Sequence, residues 1–226
     1  MTRERPVVAI DGPSGVGKST VARLVAEALG FVYMDTGALY RTVALIGERS
    51  GIDWGCGASL AEALGGHRLS FDSGGDLLLD GTAVGGAIRT PEMSLGASAV
   101  SRHAEVREAL LGVQRQLGEA GGVVLEGRDI GTVVFPDAEV KIFLTASDEI
   151  RARRRFEELR ERGDSSSFKE VLEAQKRRDH ADATRSLAPL RRAEDAFELD
   201  TGAMTAKEVA EQIVNKIKAN FPLTSI

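Results

Sequence analysis

The sequence predicts an α/β fold in which a parallel sheet is covered by helices on both faces, and three observations predict it. Short apolar runs rich in β-branched residues, Val7–Ile10, Val123–Leu125 and Val140–Leu144, read as strands buried on both sides. Stretches with helical spacing of apolar residues alternate with them. The first run passes through Asp11 into a glycine-rich loop and then directly into a helix.

Val7–Ile10 is the first strand. From Gly17 onward Val21, Leu24, Val25, Ala28 and Leu29 share a helical face, and Gly30 suits the C-cap. Phe31 to Met34 reads as the second strand, ending at Asp35; Leu39, Thr42, Val43 and Ile46 then mark a helix that Gly51 stops. Between Gly65 and Thr90 glycines accumulate. Two alternating runs there, Arg68–Phe71 and Leu77–Leu79, flank Ser73, Gly74 and Gly75 and predict a small antiparallel hairpin. Thr90 and Pro91 read as N-cap and first residue of a helical segment that Val106, Leu110, Val113 and Leu117 continue.

Val123–Leu125 runs into Glu126, Gly127, Arg128 and Asp129, and Val140–Leu144 follows a turn at Pro136; both read as central strands whose carboxyl ends carry polar residues. A charged helical region from Asp148 to Arg185, broken at Gly163 and a serine run, has the character of a mobile or inserted element. Phe197–Leu199 is the last strand. Thr205 and Glu208 form a capping box for a terminal helix built on Val209, Ile213 and Ile217.

With 226 residues, 42% apolar and 28% charged, the chain suffices for one substantial core. Its formal charge of -5 repels polyanions, so nucleic-acid binding is not expected and any phosphate site must concentrate Arg and Lys locally. Cys56 stands alone, which excludes an internal disulfide or Cys-based zinc cluster and fits a reducing compartment. Met1 to Pro6 lacks the apolar segment of a signal peptide, and no apolar run approaches membrane-spanning length. A soluble, cytoplasmic monomer without a membrane partner is the expectation.

Gly12, Pro13, Ser14, Gly15, Val16, Gly17, Lys18 and Ser19, followed by Thr20, fit the pattern G-x-x-x-x-G-K-[ST] between a strand and a helix, the context that the motif requires. The glycines let backbone N–H groups turn onto a β-phosphate, the helix N-terminus favours negative charge, Lys18 reaches the β- and γ-phosphates, and Ser19 is placed to ligate Mg²⁺. The expected architecture is a P-loop NTPase fold: a central five-stranded parallel sheet covered by helices, with an inserted substrate-binding subdomain carrying a small antiparallel sheet and a helical lid. A guanine-reading Asn-Lys-x-Asp segment is missing, because Asn215 and Lys216 are followed by Ile217 and Lys218; a GTP switch is disfavoured.

Moving a phosphoryl group between two polyanions needs several cations, and four places supply arginines. Arg41 lies about 9 Å up its helix, a distance that keeps it from the strand end but lets it hold a nearby phosphate; alternatively it is an exposed helical Arg. Arg128 sits at the carboxyl edge, where ligands bind such sheets, or pairs with Asp129. Arg151, Arg154 and Arg155 form one stripe suited to a lid, or are solvated and paired with Glu157 and Glu158. Arg178, Asp182 and Arg185 share a helical face that can read a sugar and a base edge, or form a salt-bridge ladder.

DGPSGVGKST (Asp11–Thr20), DTGALYR (Asp35–Arg41), IRT (Ile88–Thr90), VREALL (Val106–Leu111), GRDIGTVVFPD (Gly127–Asp137), VKIFL (Val140–Leu144) and the stretch from Arg178 and Asp179 through Arg185 to Ala188, Pro189 and Leu190 resemble bacterial cytidylate kinases, within the nucleoside monophosphate kinase family. These segments span nearly the whole chain, and the hairpin resembles the insert that sets those enzymes apart from adenylate kinases. The resemblance implies ATP and Mg²⁺ at Gly12–Thr20 and CMP or dCMP as acceptor. It implies Arg41 and Arg128 on the acceptor phosphate, Ser98, Arg107 and Asp129 facing cytosine, Arg185 near the base, and Arg178 and Asp182 on the sugar. Asp35 and Thr36 belong to the same acceptor site, Thr36 standing where many relatives have Ser. Lys18, Arg128 and the lid arginines Arg151 and Arg155 are the expected catalytic cations. The implied organisation is one kinase domain, with a core at about 6–35, 120–146 and 194–222, an acceptor-binding subdomain at about 36–119 and a lid region at about 147–190.

Overall fold

The computed structural model describes residues 3–72 and 74–221. Met1, Thr2, Ser73 of the expected hairpin turn and 222–226 lie outside the described residues. In chain order the elements are β1 (Val7–Asp11), α1 (Lys18–Leu29), β2 (Val32–Asp35), α2 (Thr36–Ser50), α3 (Gly57–Gly65), β3 (Leu69–Phe71), β4 (Leu77–Leu79) and β5 (Thr82–Ala83). There follow α4 (Pro91–Val100), α5 (Ala104–Gly118), β6 (Val123–Gly127), a π-helical turn (Ile130–Val134), β7 (Val140–Thr145), α6 (Asp148–Glu161), α7 (Phe168–Thr184), β8 (Phe197–Asp200) and α8 (Ala206–Asn220).

The five long strands pair in parallel in the order β2-β6-β1-β7-β8. Val8 and Ile10 of β1 pack with Val21 and Val25 of α1 and with Ile213 and Ile217 of α8. On the opposite face Val7 and Ala9 meet Leu125, Val134 and Phe135. Burial on both sides is why these strands carry uninterrupted apolar runs. Register then decides where the polar ends fall: Asp11 lies opposite Gly127 and Asp35 opposite Glu126, so three neighbouring strands deliver acidic residues to one edge.

A further cluster runs from Ala38 through Leu60, Leu79 and Met93 to Leu110. It joins α2, α3, the three-stranded antiparallel sheet β3-β4-β5, α4 and α5. Four features depart from the sequence expectation. The helical segment from Thr90 to Leu117 is two helices, because His103 takes an extended backbone as N-cap of α5 and its Nε2 donates to Trp54 O at 2.9 Å. The α3 helix, buried through Leu60 and Leu64, occupies a stretch after Gly51 to which the sequence reading assigns no element. The hairpin gains a third strand, and a π-helical turn follows Asp129. The serine run is not merely a break: Ser167 and Glu170 form a capping box that starts α7, and Phe156 and Phe168 join α6 to α7 edge to face at 6.0 Å.

Candidate active site

The loop between β1 and α1 is shaped by close packing. Gly12 has a φ of 152°, and a Cβ there would overlap the carbonyl of Leu144 on β7. Gly15 has a φ of 75°, and its Cβ would lie 2.9 Å from Arg151 O. Only glycine tolerates both the angles and the neighbours. Asp11, buried at the end of β1, accepts from the backbone N–H groups of Ile130 (2.9 Å) and Gly131 (2.8 Å). It thereby ties the turn after Arg128 and Asp129 to the base of the loop. Burial raises its pKa to about 6 even though the two amides favour the charged form.

Lys18 opens α1. Its Nζ donates to Pro13 O at 2.8 Å and is buried beside Arg128 and Arg178, and burial followed by those two cations holds its pKa well below that of an ordinary lysine. Glu126, equally buried, is pushed up by burial and by Asp35, and accepts from the hydroxyl of Tyr33 at 2.7 Å. Thr36 Oγ1 donates to Glu126 O at 2.7 Å, clamping β2 to β6 at the edge.

Asp35 caps α2 by accepting from Ala38 N at 3.1 Å, and it accepts from Arg41 Nη2 at 2.6 Å. Arg41 therefore does reach the strand end, contrary to the rise calculation from the sequence. A helical side chain leans toward the N-terminus, and the long Arg stem spans the remaining distance. Arg128 Nε donates to Asp182 Oδ2 at 2.9 Å rather than pairing with Asp129. Asp129 pairs instead with Arg107, whose guanidinium lies over the Tyr40 ring at 5.5 Å, and it faces Arg185 at 3.7 Å. Burial raises the Asp129 carboxyl despite both cations. Arg178 and Asp182 form no salt-bridge ladder; burial and the Arg128 charge bring Arg178 down to about 10.

All of this opens on one cavity of about 610 Å³. Ser14 to Thr20 line one part of it, whereas Gly12 and Pro13 do not. Asp35, Thr36, Arg41, Ser98, Arg107, Arg128, Asp129, Arg178, Asp182 and Arg185, the residues expected from the sequence to form an acceptor site, line the same space. Eight cationic side chains and five carboxylates contribute, a net excess of three positive charges in a chain whose total is -5. The buried Nε of Arg41, Nε of Arg178 and Nη2 of Arg185 have no hydrogen-bond partner. Unmatched buried guanidinium donors are costly unless an anion completes them.

The lid stripe divides three ways. Arg154 lines the cavity and donates to Thr201 Oγ1 (3.0 Å) and Thr201 O (2.7 Å); Arg155 lines it beside Glu158, at 3.0 Å. Arg151 does not line it. Ala146 O, Ser14 O, Asp179 and Asp148 take four of its five N–H donors, so the structure does not place it as a phosphate clamp. Two participants escape sequence reasoning. Glu126 is visible there only as a strand end, its importance arising from register with Asp35; Tyr40 shares the face of Leu39 and Val43 closely enough to pass for core. Among the described residues no group of three His, Cys, Asp or Glu could hold a metal alone. Ser19, exposed in the first turn of α1, suits an ion that takes most of its ligands from phosphate and water.

The cytidylate kinase family model matches residues 8–219. The chain belongs to this family. It is 48% identical over 215 residues to the cytidylate kinase of Geobacter sp. (strain M21), covering 94% of this chain and 92% of that one. It is 46% identical over 214 residues to that of Enterococcus faecalis, covering 93% and 95%. A solved structure of an uncharacterized protein from Eubacterium ventriosum superimposes with a TM-score of 0.52 at 11% identity, covering 95% of this chain and 99% of that one, a likeness of fold alone. Membership in the family makes the chain a phosphotransferase, and no described helix is long and apolar enough to cross a membrane.

Proposed function

We propose that the chain transfers the γ-phosphate of ATP to CMP or dCMP, giving ADP and CDP or dCDP, as a cytoplasmic monomer. The single observation that carries this reading is the continuity of the cavity: the phosphate-binding loop and the arginine-rich pocket share it. Transfer in line requires that the two nucleotides meet end to end.

The loop amides and Lys18 hold the donor phosphates; Arg41 and Arg128 hold the acceptor phosphate, whose anionic oxygen attacks the γ-phosphorus. Arg154, Arg155 and Arg178 surround the migrating charge, with Arg154 taking the place expected for Arg151. Mg²⁺, held at Ser19, supplies charge neutralisation to the donor phosphates when bound. No strong general base is required, because the attacking oxygen is already ionised near neutral pH. Ser98, Arg107 and Asp129 face the base, where an acceptor for the exocyclic amine of cytosine discriminates against the carbonyl of uracil. Arg185, beside Asp129, approaches the base as well, and Asp182 and Arg178 the sugar.

The deciding assay mixes protein, ATP and Mg²⁺ separately with CMP, dCMP, UMP, AMP and shikimate and measures ADP release. Turnover confined to the cytidine nucleotides is expected. Turnover with shikimate alone, or ATP binding without turnover on any acceptor, overturns the proposal.

A further inference from the structure

Phosphoryl transfer as described leaves two charged residues beside the loop unused, Arg151 on α6 and Asp179 on α7. Ser14 N donates to Asp179 Oδ1 at 3.2 Å, while Arg151 Nη1 donates to Ser14 O at 2.9 Å and also pairs with the other oxygen of Asp179. The Ser14 residue is thus gripped by both its backbone polar groups in a closed ring of hydrogen bonds. Behind it, a Cβ on Gly15 would come within 2.9 Å of Arg151 O and 3.0 Å of Gln175 Oε1, so α6 and α7 bear directly on the loop. Arg151 is buried, with its side chain 5% exposed, and that of Asp179 is 18% exposed.

The helix that supplies Asp179 also supplies Arg178 and Asp182 to the acceptor pocket, and Arg185 caps its end. Asp179 and Asp182 are three residues apart, about 4.5 Å along a rigid axis. Asp182 in turn holds Arg128 at 2.9 Å. Charge-assisted bonds at the two ends, Ser14 to Asp179 and Arg128 to Asp182, are therefore joined by one turn of α7. We propose that Arg151 and Asp179 are positioning residues that latch the Ser14 backbone to α7, so that filling the donor site tightens the acceptor site and the reverse. The proposal rests on the two-nucleotide reading above. It differs from a merely structural role in requiring a coupling free energy between sites, which is reciprocal.

Calorimetric titration of CMP, with and without saturating Mg²⁺ and β,γ-imido-ATP, measures that coupling. In the unaltered chain the analogue is expected to tighten CMP on the order of tenfold. In Asp179→Ala the factor is expected to fall below about twofold, with the KM for ATP rising about tenfold, the loss of one charge-assisted bond. Asp179→Asn retains an oxygen for Ser14 N but removes the charge facing Arg151, and carries the same test if the alanine variant is too unstable to titrate. A coupling factor equal in variant and unaltered chain, or a factor of one in the unaltered chain, overturns the latch. Absence of CMP phosphorylation in the unaltered chain would instead overturn the proposed function, so the two failures are told apart.

Discussion

Replacing Asp11 by Asn tests whether a buried carboxylate at the end of β1 orders the turn that presents Arg128 and Asp129. Asp11 is raised to about 6 in the folded chain, against 3.8 without the fold, so the native state holds its proton more tightly. Stability from this group is full below pH 3.8, is lost as pH rises from about 4 to about 6, and is gone above that. Two units of difference correspond to about 3 kcal/mol at 1.36 kcal/mol per unit. Asn lacks the titration, while its amide NH₂ must face either Ile130 N or Gly131 N and leave one buried donor unmet, at about 1–3 kcal/mol. Denaturant unfolding of both proteins between pH 4 and 7 reads the effect, because titrations that do not sense Asp11 cancel in the difference. The variant is expected to be the less stable at pH 4 and to gain on the parent by about 2 kcal/mol toward pH 7. A difference independent of pH over that window refutes the reasoning.

Lys18→Ala is expected to reduce turnover by about 10²–10³ with the circular dichroism spectrum unchanged, since one preorganised cation facing the transferring group is lost; unchanged turnover removes Lys18 from the chemistry. Because burial and two arginines depress Lys18 while a bound triphosphate favours its charged form, ATP binding at pH 8 is expected to take up protons. Titrations in buffers of different ionisation enthalpy read that uptake directly, and identical heats in all buffers contradict it. Asp182→Ala frees Arg128 and removes a sugar partner, so the KM for CMP is expected to rise about tenfold or more while that for ATP changes less. Equal rises would move Asp182 out of the acceptor site.

The alternation of apolar runs made the parallel sheet legible, because strands buried on both faces advertise themselves without reference to their neighbours. Helix ends were legible for the same local reason: Thr90 with Pro91 and Thr205 with Glu208 carry their caps in adjacent residues. What local pattern hides is pairing at a distance. The break at Ser101–His103 depends on the carbonyl of Trp54, far back in the chain, and the apolar stripe on either side runs on as if the helix were continuous. For Arg41 the Cα position does not give the position of the charge, and for Arg151 helical phase does not give the destination of the side chain. Arg151, Arg154 and Arg155 do share a stripe, but Asp148, Asp179 and Ser14 O capture the first of them, and no spacing rule announces that. Nor does sequence reveal that Arg128 answers to Asp182 instead of its neighbour Asp129.

The arginines that stay incompletely matched are the informative ones. A cluster built only for stability would pair each guanidinium fully, since a buried unpaired charge costs more than its attraction returns. Arg151 comes close to that standard, with four of its five donors satisfied by protein acceptors, and it lies outside the cavity. Arg41, Arg178 and Arg185 do not, and each lines the space shared with the phosphate-binding loop. The carboxylates Asp35, Asp129 and Asp182 hold the pocket together at a level that leaves net positive charge over. An incoming anion supplies the missing partners, so affinity for phosphate and incomplete pairing of the free protein are the same property seen from two sides.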